Sequence, residues 1–308
     1  MNNEEQLVSI IIPMFERYNL LNDLWDCLQK QTHTNFEVII VDDGSYKPIT
    51  LPSFLDHRFS LIRYNDNKGP GYARKIGREN AKGDYICYLD SDDWWSPDYL
   101  AELVKDLNNN SNVGMVYSNT TILSSGSSIG DRVLEYSEAP SQIMPTIISF
   151  KKRFWSTSSC MWRKDVSLAD SWISLRNHED YIHDLLSSMY NNKVFFSQKA
   201  ITFKNQTAED RIVRDKNEVK KALLYIVGIS NIDDYTNLSY FILWRLYEFR
   251  ITLSWREYLH FCKIGYFEFK FLNFNFYKYI TILFLISLLN VHSYAIKVNI
   301  KKLNKIIC

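Results

Sequence analysis

Short apolar runs alternate with segments of helical periodicity from about residue 8 to residue 118. The runs VSIIIP, FEVIIVDD, FSLIRY, DYICYLD and VGMVYS predict buried strands. The segments NLLNDLWDCLQKQ, GYARKIGRENAKG and SPDYLAELVKDLNNN place apolar residues at helical spacing. Strands that alternate with helices and carry continuous apolar runs indicate a mostly parallel sheet, covered by helices on both faces. We therefore expect an α/β domain.

Two of these predicted helices carry terminal signals. In SPDYLAELVKDLNNN we expect Ser96 as the N-cap and Pro97 at the first helical position. GYARKIGRENAKG is expected to end at Gly83, because glycine is common just beyond helix ends.

The pattern changes twice after the fifth strand. Residues 119–142 are polar and rich in Ser and Gly, which predicts hairpins or a loop. Order then returns up to about residue 202, with NHEDYIHDLLSSMYNN as a helix that has acids in its first turn and KVFFSQKAITF as a strand.

The tail from Phe241 onward is aromatic and basic, with ten Lys and Arg against three Glu. Its most apolar run, YITILFLISLL, has about 11 residues, whereas a spanning helix needs about 20. Two interpretations stay open: a helical subdomain with a solvated basic face, or a helical segment lying on an anionic membrane surface. We favour the second.

Charge and cysteine content narrow the setting. The formal net charge of +1 gives no case for nucleic-acid binding. Five scattered cysteines without CxxC spacing argue against a disulfide framework or a zinc site and favour a reducing compartment. No signal peptide is evident in MNNEEQLVSIIIP. We expect a cytoplasmic protein, held at the inner face of the membrane if the tail binds lipid.

Acidic residues stand where two predicted strands end. They are Asp42 and Asp43, then Asp90, Asp92 and Asp93. Ligands of parallel sheets bind beyond the carboxyl ends of the strands. Acids this close together repel one another unless a cation lies among them, and hard oxygen ligands suit Mg²⁺ and Mn²⁺. The alternative is a solvated turn in which Asp92 or Asp93 caps the next helix.

The segment NDNKGPGYARKIG lies between the two acidic strand ends. Gly69 and Gly71 permit a tight entry into the predicted helix, and a helix N-terminus preceded by glycines is a natural anion site. Arg74 adds a planar donor group for phosphate. We therefore expect a phosphate-binding site here.

Taken in order, SIIIPMFER, LQKQTHTNFEVIIVDDGS, NKGPGYARKIGRENAKGDYICYLDSDD and HED resemble the inverting glycosyltransferases of family two, over residues 7 to 204. The resemblance implies a GT-A nucleotide-sugar-binding fold. It also implies a DxD motif that holds Mn²⁺ or Mg²⁺ through Asp90, Asp92 and Asp93. The residues expected to bind the nucleotide sugar are Pro13, Phe15, Glu16, Asp42, Lys68, Gly69, Arg74, Asp90, Ser91, Asp92 and Trp94.

The same resemblance assigns the catalytic side to NHEDYIHDLL. Inverting transfer needs a general base for the acceptor hydroxyl, and the resemblance implies Asp180 for this role, with Glu179 in reserve. His178 and His183 are expected to be polar neighbours rather than ligands. Trp94 and Trp95 are expected either to wall the sugar site or to pack beneath the acidic loop.

Two departures from the family pattern are present: Glu16 replaces the usual Asn, and Lys75 follows Arg74 where Asn is common. The chain has no Q-x-x-R-W motif, which favours a single transfer over polymerisation.

These expectations define an organisation and a function. Residues 1–204 are expected to form the GT-A domain, with a nucleotide half at about 7–118 and an acceptor half at about 119–204, and 205–308 a helical extension. The expected reaction moves a sugar from a nucleotide donor, UDP first, to a glycan or lipid-linked acceptor. The alternatives are a catalytically silent GT-A domain that binds sugar nucleotides or partners, and a phosphotransferase or phosphatase that uses VDDGS.

Overall fold

The computed structural model describes residues 6–123, 139–144, 146–148, 154–205 and 215–227. Within these ranges the strands are β1 (Val8–Met14), β2 (Phe36–Asp43), β3 (Phe59–Tyr64), β4 (Tyr85–Tyr88), β5 (Asp93–Trp95), β6 (Met115–Leu123), β7 (Cys160–Arg163) and β8 (Val194–Asn205). The α-helices are α1 (Leu21–Gln29), α2 (Pro70–Asn80), α3 (Tyr99–Asn109), α4 (Glu179–Ser188) and α5 (Lys216–Val227).

All eight strands belong to one sheet, in the order β3-β2-β1-β4-β7-β6-β8-β5. The first four pair in parallel, with β1 between β2 and β4. Strand β7 is antiparallel to both neighbours, β6 and β8 are parallel, and β5 is antiparallel to β8. The predicted α/β fold is confirmed. The block of four parallel strands, β1 to β4, comes from the alternating pattern.

The apolar runs form strands because both faces of the sheet are covered. In β1, residues 8–12 are fully buried, as the uninterrupted run VSIII requires. Helix α1 buries Leu21, Leu24 and Leu28 on one side, at the spacing of a single helical face. Helix α2 lies so close to the sheet that a Cβ at Gly77 would come within 2.3 Å of Ile11 Cγ2.

Three local predictions are corrected. Helix α3 begins at Tyr99, not beside Ser96, whose hydroxyl instead accepts a hydrogen bond from the Ile201 N–H. Helix α2 ends at Asn80, and Gly83 packs against Ser9 of β1. The segment predicted to become irregular at 119 continues β6 to Leu123, because β8 pairs with it beyond a register shift at Ser118/Asn119.

The chain divides into two compact units, Met1–Ala222 and Leu223–Cys308. Only residues 223–227 of the second unit are described, so the predicted tail segment 241–308 lies outside the described residues. The domain boundary expected at 204/205 stays a prediction. In the ranges described above, no helix combines the length and hydropathy that a membrane crossing requires.

Candidate active site

The acidic strand ends converge at one edge of the sheet. Because β1, β2 and β4 are parallel neighbours, their carboxyl ends face the same way. Asp42 and Asp43 end β2, and Asp90 follows β4 after one residue. The Asp90 N–H donates to Ser158 Oγ at 3.1 Å, which ties this loop to the segment before β7. The coincidence expected from the sequence is therefore present in the fold.

Asp42 is fully buried and organises the turn that follows β2. Its Oδ1 accepts the Ser45 N–H at 3.0 Å, its Oδ2 accepts the Ile49 N–H at 3.1 Å, and Arg63 forms an ion pair with it. Burial alone would raise the pKa of this carboxyl, but the hydrogen bonds hold it below its usual value. Contact of Asp42 with the nucleotide sugar stays a prediction.

Glu16 closes the loop after β1 against the same turn. It has a positive φ of 57°, and its Oε1 accepts the Tyr46 N–H at 2.5 Å and the Tyr18 hydroxyl at 3.1 Å. The exposed ring of Phe15 lies 6.3 Å from that of Tyr46, and Pro13 is half-buried near the end of β1. These residues line a rim around the carboxyl end of β1. Their contact with a nucleotide stays a prediction.

The carboxylate of Asp43 binds the backbone just before α2. Asp43 accepts the N–H groups of Lys68 at 2.7 Å and of Gly69 at 2.8 Å. Gly69 has a φ of 91°, a conformation that side chains rarely adopt. Burial raises the pKa of Asp43 despite these hydrogen bonds. The Asp43 carboxylate therefore accepts hydrogen bonds from backbone N–H groups where the sequence predicted a phosphate site. Binding of a ligand by Lys68 and Gly69 stays a prediction.

Arg74 joins the two halves of the predicted site. Its side chain is 5% exposed, and it donates from Nη2 to Asp90 Oδ1 at 2.7 Å and from Nη1 to Glu179 Oε1 at 2.9 Å. Burial alone would raise the pKa of Asp90, but the charges of Arg74 and Lys204 lower it. Both Nη atoms of the guanidinium thus hold carboxylates here. The predicted phosphate contact of Arg74 stays untested.

Aromatic packing fixes the guanidinium of Arg74 in place. Its Cζ lies 4.9 Å from the ring centroid of Trp172, and His183 stacks on Trp172 with centroids 4.1 Å apart. The His183 ring nitrogens face Ser167 Oγ at 2.8 Å and Asp184 Oδ1 at 3.3 Å. His183 is 1% exposed, which agrees with its expected place as a polar neighbour.

The DxD segment meets Arg17 from the loop after β1. Arg17 Nη1 lies 2.7 Å from Asp92 Oδ2 and donates to Ser91 Oγ at 3.2 Å. The side chain of Asp92 is 18% exposed and that of Asp90 is 26% exposed. Both carboxylates are therefore mostly buried but keep an exposed part that a ligand can reach.

Asp93 differs from its two neighbours. It is 2% exposed, its Oδ2 accepts the Ser158 hydroxyl at 2.6 Å, and its Oδ1 accepts the Asn205 N–H at 3.3 Å. It also lies directly opposite Lys204 in the pairing of β5 with β8, and Lys204 Nζ is 3.8 Å from Oδ2. Burial raises the pKa of Asp93 to about 7. Its predicted role as a metal ligand stays untested.

Glu179 and Asp180 occupy the first turn of α4. His178 adopts a left-handed conformation, with φ 64°, and turns the chain into the helix. Burial, with the charge of Asp180 in support, raises the pKa of Glu179 to about 7 against the opposing effect of Arg74. Glu179 is 7% exposed, whereas Asp180 is half-buried. Asp180 is thus the more accessible of the two carboxylates.

The acids are suited to a divalent cation, although no group of three or more His, Cys, Asp or Glu side chains in the described ranges is placed so that it could hold a metal ion. Asp90 and Asp92 each use one carboxylate oxygen for an ion pair with an arginine. No described residue donates a hydrogen bond to the second oxygen of either carboxylate. Hard oxygens that leave room for water and phosphate match Mg²⁺ and Mn²⁺. A cation here would be held by Asp90 and Asp92.

The two tryptophans after the DxD segment have different surroundings. Trp95 is 4% exposed, stacks on Tyr99 with centroids 4.3 Å apart and donates from Nε1 to Ser158 O. It packs beneath the acidic loop, as one of the two sequence interpretations expected. Trp94 is only partly buried, and its contact with a sugar stays a prediction.

Sequence reasoning missed Arg17, Lys204 and Ser158 as parts of this site. Arg17 lies inside the quoted SIIIPMFER segment, so its proximity to a family motif was the one available signal. Lys204 and Ser158 carry no local signal. Their places depend on β8 pairing with β5 and on the segment before β7 meeting β4.

Comparison with known proteins agrees with this geometry. A family model described as "Glycosyl transferase family 2" matches residues 9–166, just over half of the chain. An uncharacterized glycosyltransferase of Haemophilus influenzae is 26% identical over 230 residues, which cover 71% of this chain and 76% of the relative. The putative teichuronic acid biosynthesis glycosyltransferase TuaG of Bacillus subtilis is 34% identical over 104 residues, 32% of this chain and 41% of TuaG.

Solved structures share the fold. The crystal structure of S. aureus TarS 1-349 in complex with UDP-GlcNAc matches with a TM-score of 0.62 at 18% identity, covering 83% of this chain and 79% of that chain. The complex of the same protein with UDP matches with a TM-score of 0.61. The predicted GT-A fold is confirmed, and the chain belongs to glycosyl transferase family 2.

Proposed function

We propose that this chain is an inverting, metal-dependent glycosyltransferase that moves a sugar from a UDP donor to a hydroxyl of a lipid-linked or surface-polysaccharide precursor. The observation that carries the proposal is the Arg74 bridge. One guanidinium holds Asp90 beside the predicted nucleotide site and Glu179 at the start of α4, next to Asp180. Donor and acceptor chemistry require such proximity of a diphosphate site and a base.

Asp180 is the proposed general base. In the reaction the acceptor oxygen forms a bond to the anomeric carbon, the bond from that carbon to the diphosphate breaks on the opposite side, and the hydroxyl proton passes to the Asp180 carboxylate. The exposure of Asp180 supports this assignment, since an acceptor hydroxyl can reach a half-buried carboxylate. Glu179 is held by Arg74 and buried, which favours a positioning role for it.

The departing diphosphate carries negative charge that the site must balance. Among the described residues, Arg17 pairs with Asp92 and Lys204 lies beside Asp93. Both cations are close enough to the DxD segment to contribute positive charge toward phosphate oxygens. A divalent cation bound by Asp90 and Asp92 would add electrostatic stabilisation of the leaving group. The proposed cofactor is Mn²⁺ or Mg²⁺.

The donor and acceptor classes rest on relatives. TarS is described in complex with UDP-GlcNAc and with UDP, and TuaG is named for teichuronic acid biosynthesis. We extend these classes to this chain as a UDP-sugar donor and a glycan or lipid-linked acceptor. We also propose a cytoplasmic enzyme whose segment 241–308 binds the membrane surface, since that segment is basic and aromatic.

A panel of UDP-sugars tests the proposal by thermal unfolding with and without Mn²⁺. A ligand that binds the folded state at 100 times its Kd adds about 2.7 kcal/mol to the stability. We expect at least one UDP-sugar to raise the unfolding temperature more with Mn²⁺ than without, and Asp92→Asn to abolish the Mn²⁺-dependent part. A wild-type protein that no UDP-sugar stabilises would contradict the proposal.

A further inference from the structure

Among the described residues, more carboxylates than cationic side chains lie at the acidic edge. The carboxylates are those of Asp90, Asp92, Asp93, Glu179 and Asp180. The cations described facing them are Arg17, Arg74 and Lys204. Two of the three cations are committed to a short ion pair with a defined oxygen: Arg74 with Asp90 and Glu179, and Arg17 with Asp92. Lys204 is the exception.

Lys204 lies among several carboxylates but forms no short ion pair with any of them. Its nearest carboxylate oxygen, Asp93 Oδ2, is 3.8 Å away, beyond ordinary hydrogen-bond distance. Burial alone would lower the pKa of its ammonium group, but the charges of Asp93, Asp90, Asp92 and Asp180 together raise that pKa above its usual value. Its side chain is 33% exposed. A flexible point charge with this freedom can change partners without breaking a bidentate contact.

The backbone brings Lys204 there by strand pairing. β5 follows the DxD segment at once, and its first residue, Asp93, is in antiparallel register with Lys204 near the end of β8. The Asn205 N–H also bonds Asp93 Oδ1. Opposite charges directly across an antiparallel pair attract one another. The position of the ammonium is therefore a consequence of the sheet.

We propose that Lys204 is the exchangeable counter-cation at the DxD carboxylates, beside the ion-paired Arg17 and Arg74, and couples metal binding to nucleotide binding. In the free protein its charge opposes entry of a divalent cation between Asp90 and Asp92. A bound diphosphate offers Lys204 an alternative anionic partner, and the carboxylates then accept the metal. This inference rests on the proposed function, because it requires a nucleoside diphosphate at this edge.

The coupling is reciprocal, because two ligands that affect each other's binding do so by the same factor. Mn²⁺ should therefore bind weakly to the free protein and more tightly when UDP is present. Replacing Lys204 with Met removes the charge and keeps most of the apolar stem. Mn²⁺ alone should then bind more tightly, and the gain from UDP should shrink.

The experiment is a titration of Mn²⁺ followed by the electron paramagnetic resonance signal of the free ion, with and without UDP. For the wild type we expect UDP to tighten Mn²⁺ binding by about 10-fold or more. For Lys204→Met we expect Mn²⁺ alone to bind about 5-fold more tightly than to the wild type, because a nearby positive charge has been removed. Lys204→Arg, which keeps the charge, should retain the wild-type coupling.

Lys199→Met is the matched control. Lys199 lies on the same strand and is exposed, so its loss should leave Mn²⁺ affinity and coupling unchanged. Circular dichroism checks the fold of each variant, and Lys204→Gln carries the same test should Lys204→Met fail to fold.

The outcomes separate the two proposals. If Lys204→Met binds Mn²⁺ no more tightly than Lys199→Met does, or if Lys204→Arg behaves like Lys204→Met, the role of Lys204 is wrong. The proposed function survives that result as long as the wild type binds UDP with Mn²⁺. A wild type that binds neither UDP nor Mn²⁺ overturns both.

Discussion

Arg74 and Glu179 form an ion pair of 2.9 Å between residues 105 positions apart in the sequence. The pair links the middle of α2, in the predicted nucleotide half, to the first residue of α4, in the predicted acceptor half. The same guanidinium also holds Asp90 at 2.7 Å. A single buried side chain therefore sets the spacing between the DxD segment and the predicted base, and the first two predictions test this arrangement.

Removing the charge of Arg74 should destabilise the protein strongly. Arg74→Met leaves two mostly buried carboxylates without their partner, and breaking a buried ion pair in this way costs roughly 3–5 kcal/mol. Chemical denaturation measures the loss. Lys75→Met on the same helix is the control, because Lys75 forms more exposed pairs, with Glu79 and Asp170, and should cost less than about 1 kcal/mol. Equal effects of the two substitutions would argue against the bridge.

Glu179 should make stability depend on pH in a defined direction. Its pKa in the folded protein is about 7, above the value of 4.5 for an ordinary glutamate. The folded state therefore binds the proton more tightly than the unfolded state, and the free energy of unfolding decreases as pH rises from about 4.5 through about 7. Glu179→Gln removes this contribution.

The stability of Glu179→Gln relative to the wild type should thus increase between pH 5 and pH 8, by on the order of 2 kcal/mol. Denaturation curves at several pH values give the difference directly. Glu79→Gln, an exposed site on α2, is the control and should show a constant difference. A difference for Glu179→Gln that does not change with pH would show that Glu179 is charged throughout.

Asp180→Asn should remove catalysis while donor binding persists. Loss of a general base typically lowers the rate by about 10²–10⁴-fold. The rate is measured as hydrolysis or transfer of the UDP-sugar that stabilises the wild type in the thermal-unfolding panel. Donor binding is measured as the rise in unfolding temperature that the same UDP-sugar causes. Glu179→Gln separates the two carboxylates: if it loses more activity than Asp180→Asn and binds donor equally well, the assignment of the base is wrong.

Gly71→Ala should disturb the acceptor side from within α2. A Cβ at Gly71 would lie 2.1 Å from Ile173 O and 3.1 Å from Glu179 Cβ. The segment before α4 must then shift, and overpacking of this kind costs about 1–3 kcal/mol. Asn80→Ala, at an exposed position of the same helix, should change stability by less than about 0.5 kcal/mol. Unchanged stability in Gly71→Ala would mean that this contact relaxes freely.

Much of the fold was predictable from local pattern. The runs VSIIIP, FEVIIVDD and FSLIRY became β1, β2 and β3, and the acids in the first turn of NHEDYIHDLL begin α4. Periodicity is a local property, so elements with a strong apolar pattern can be assigned without their partners. Strand β5 was missed because a three-residue strand has no period of its own and exists through its pairing with β8.

The candidate site also has features that follow from local sequence and features that follow from long-range pairing. The sequence by itself determined which carboxylates stand at strand ends and that cations must accompany them, because charges on adjacent residues interact wherever the chain goes. Only the tertiary structure decided which cations do so. Arg17, Arg74 and Lys204 reach Asp92, Asp90 and Asp93 across 75, 16 and 111 positions respectively. Such pairings depend on sheet order and strand register, which arise from packing of the whole chain rather than from any local segment.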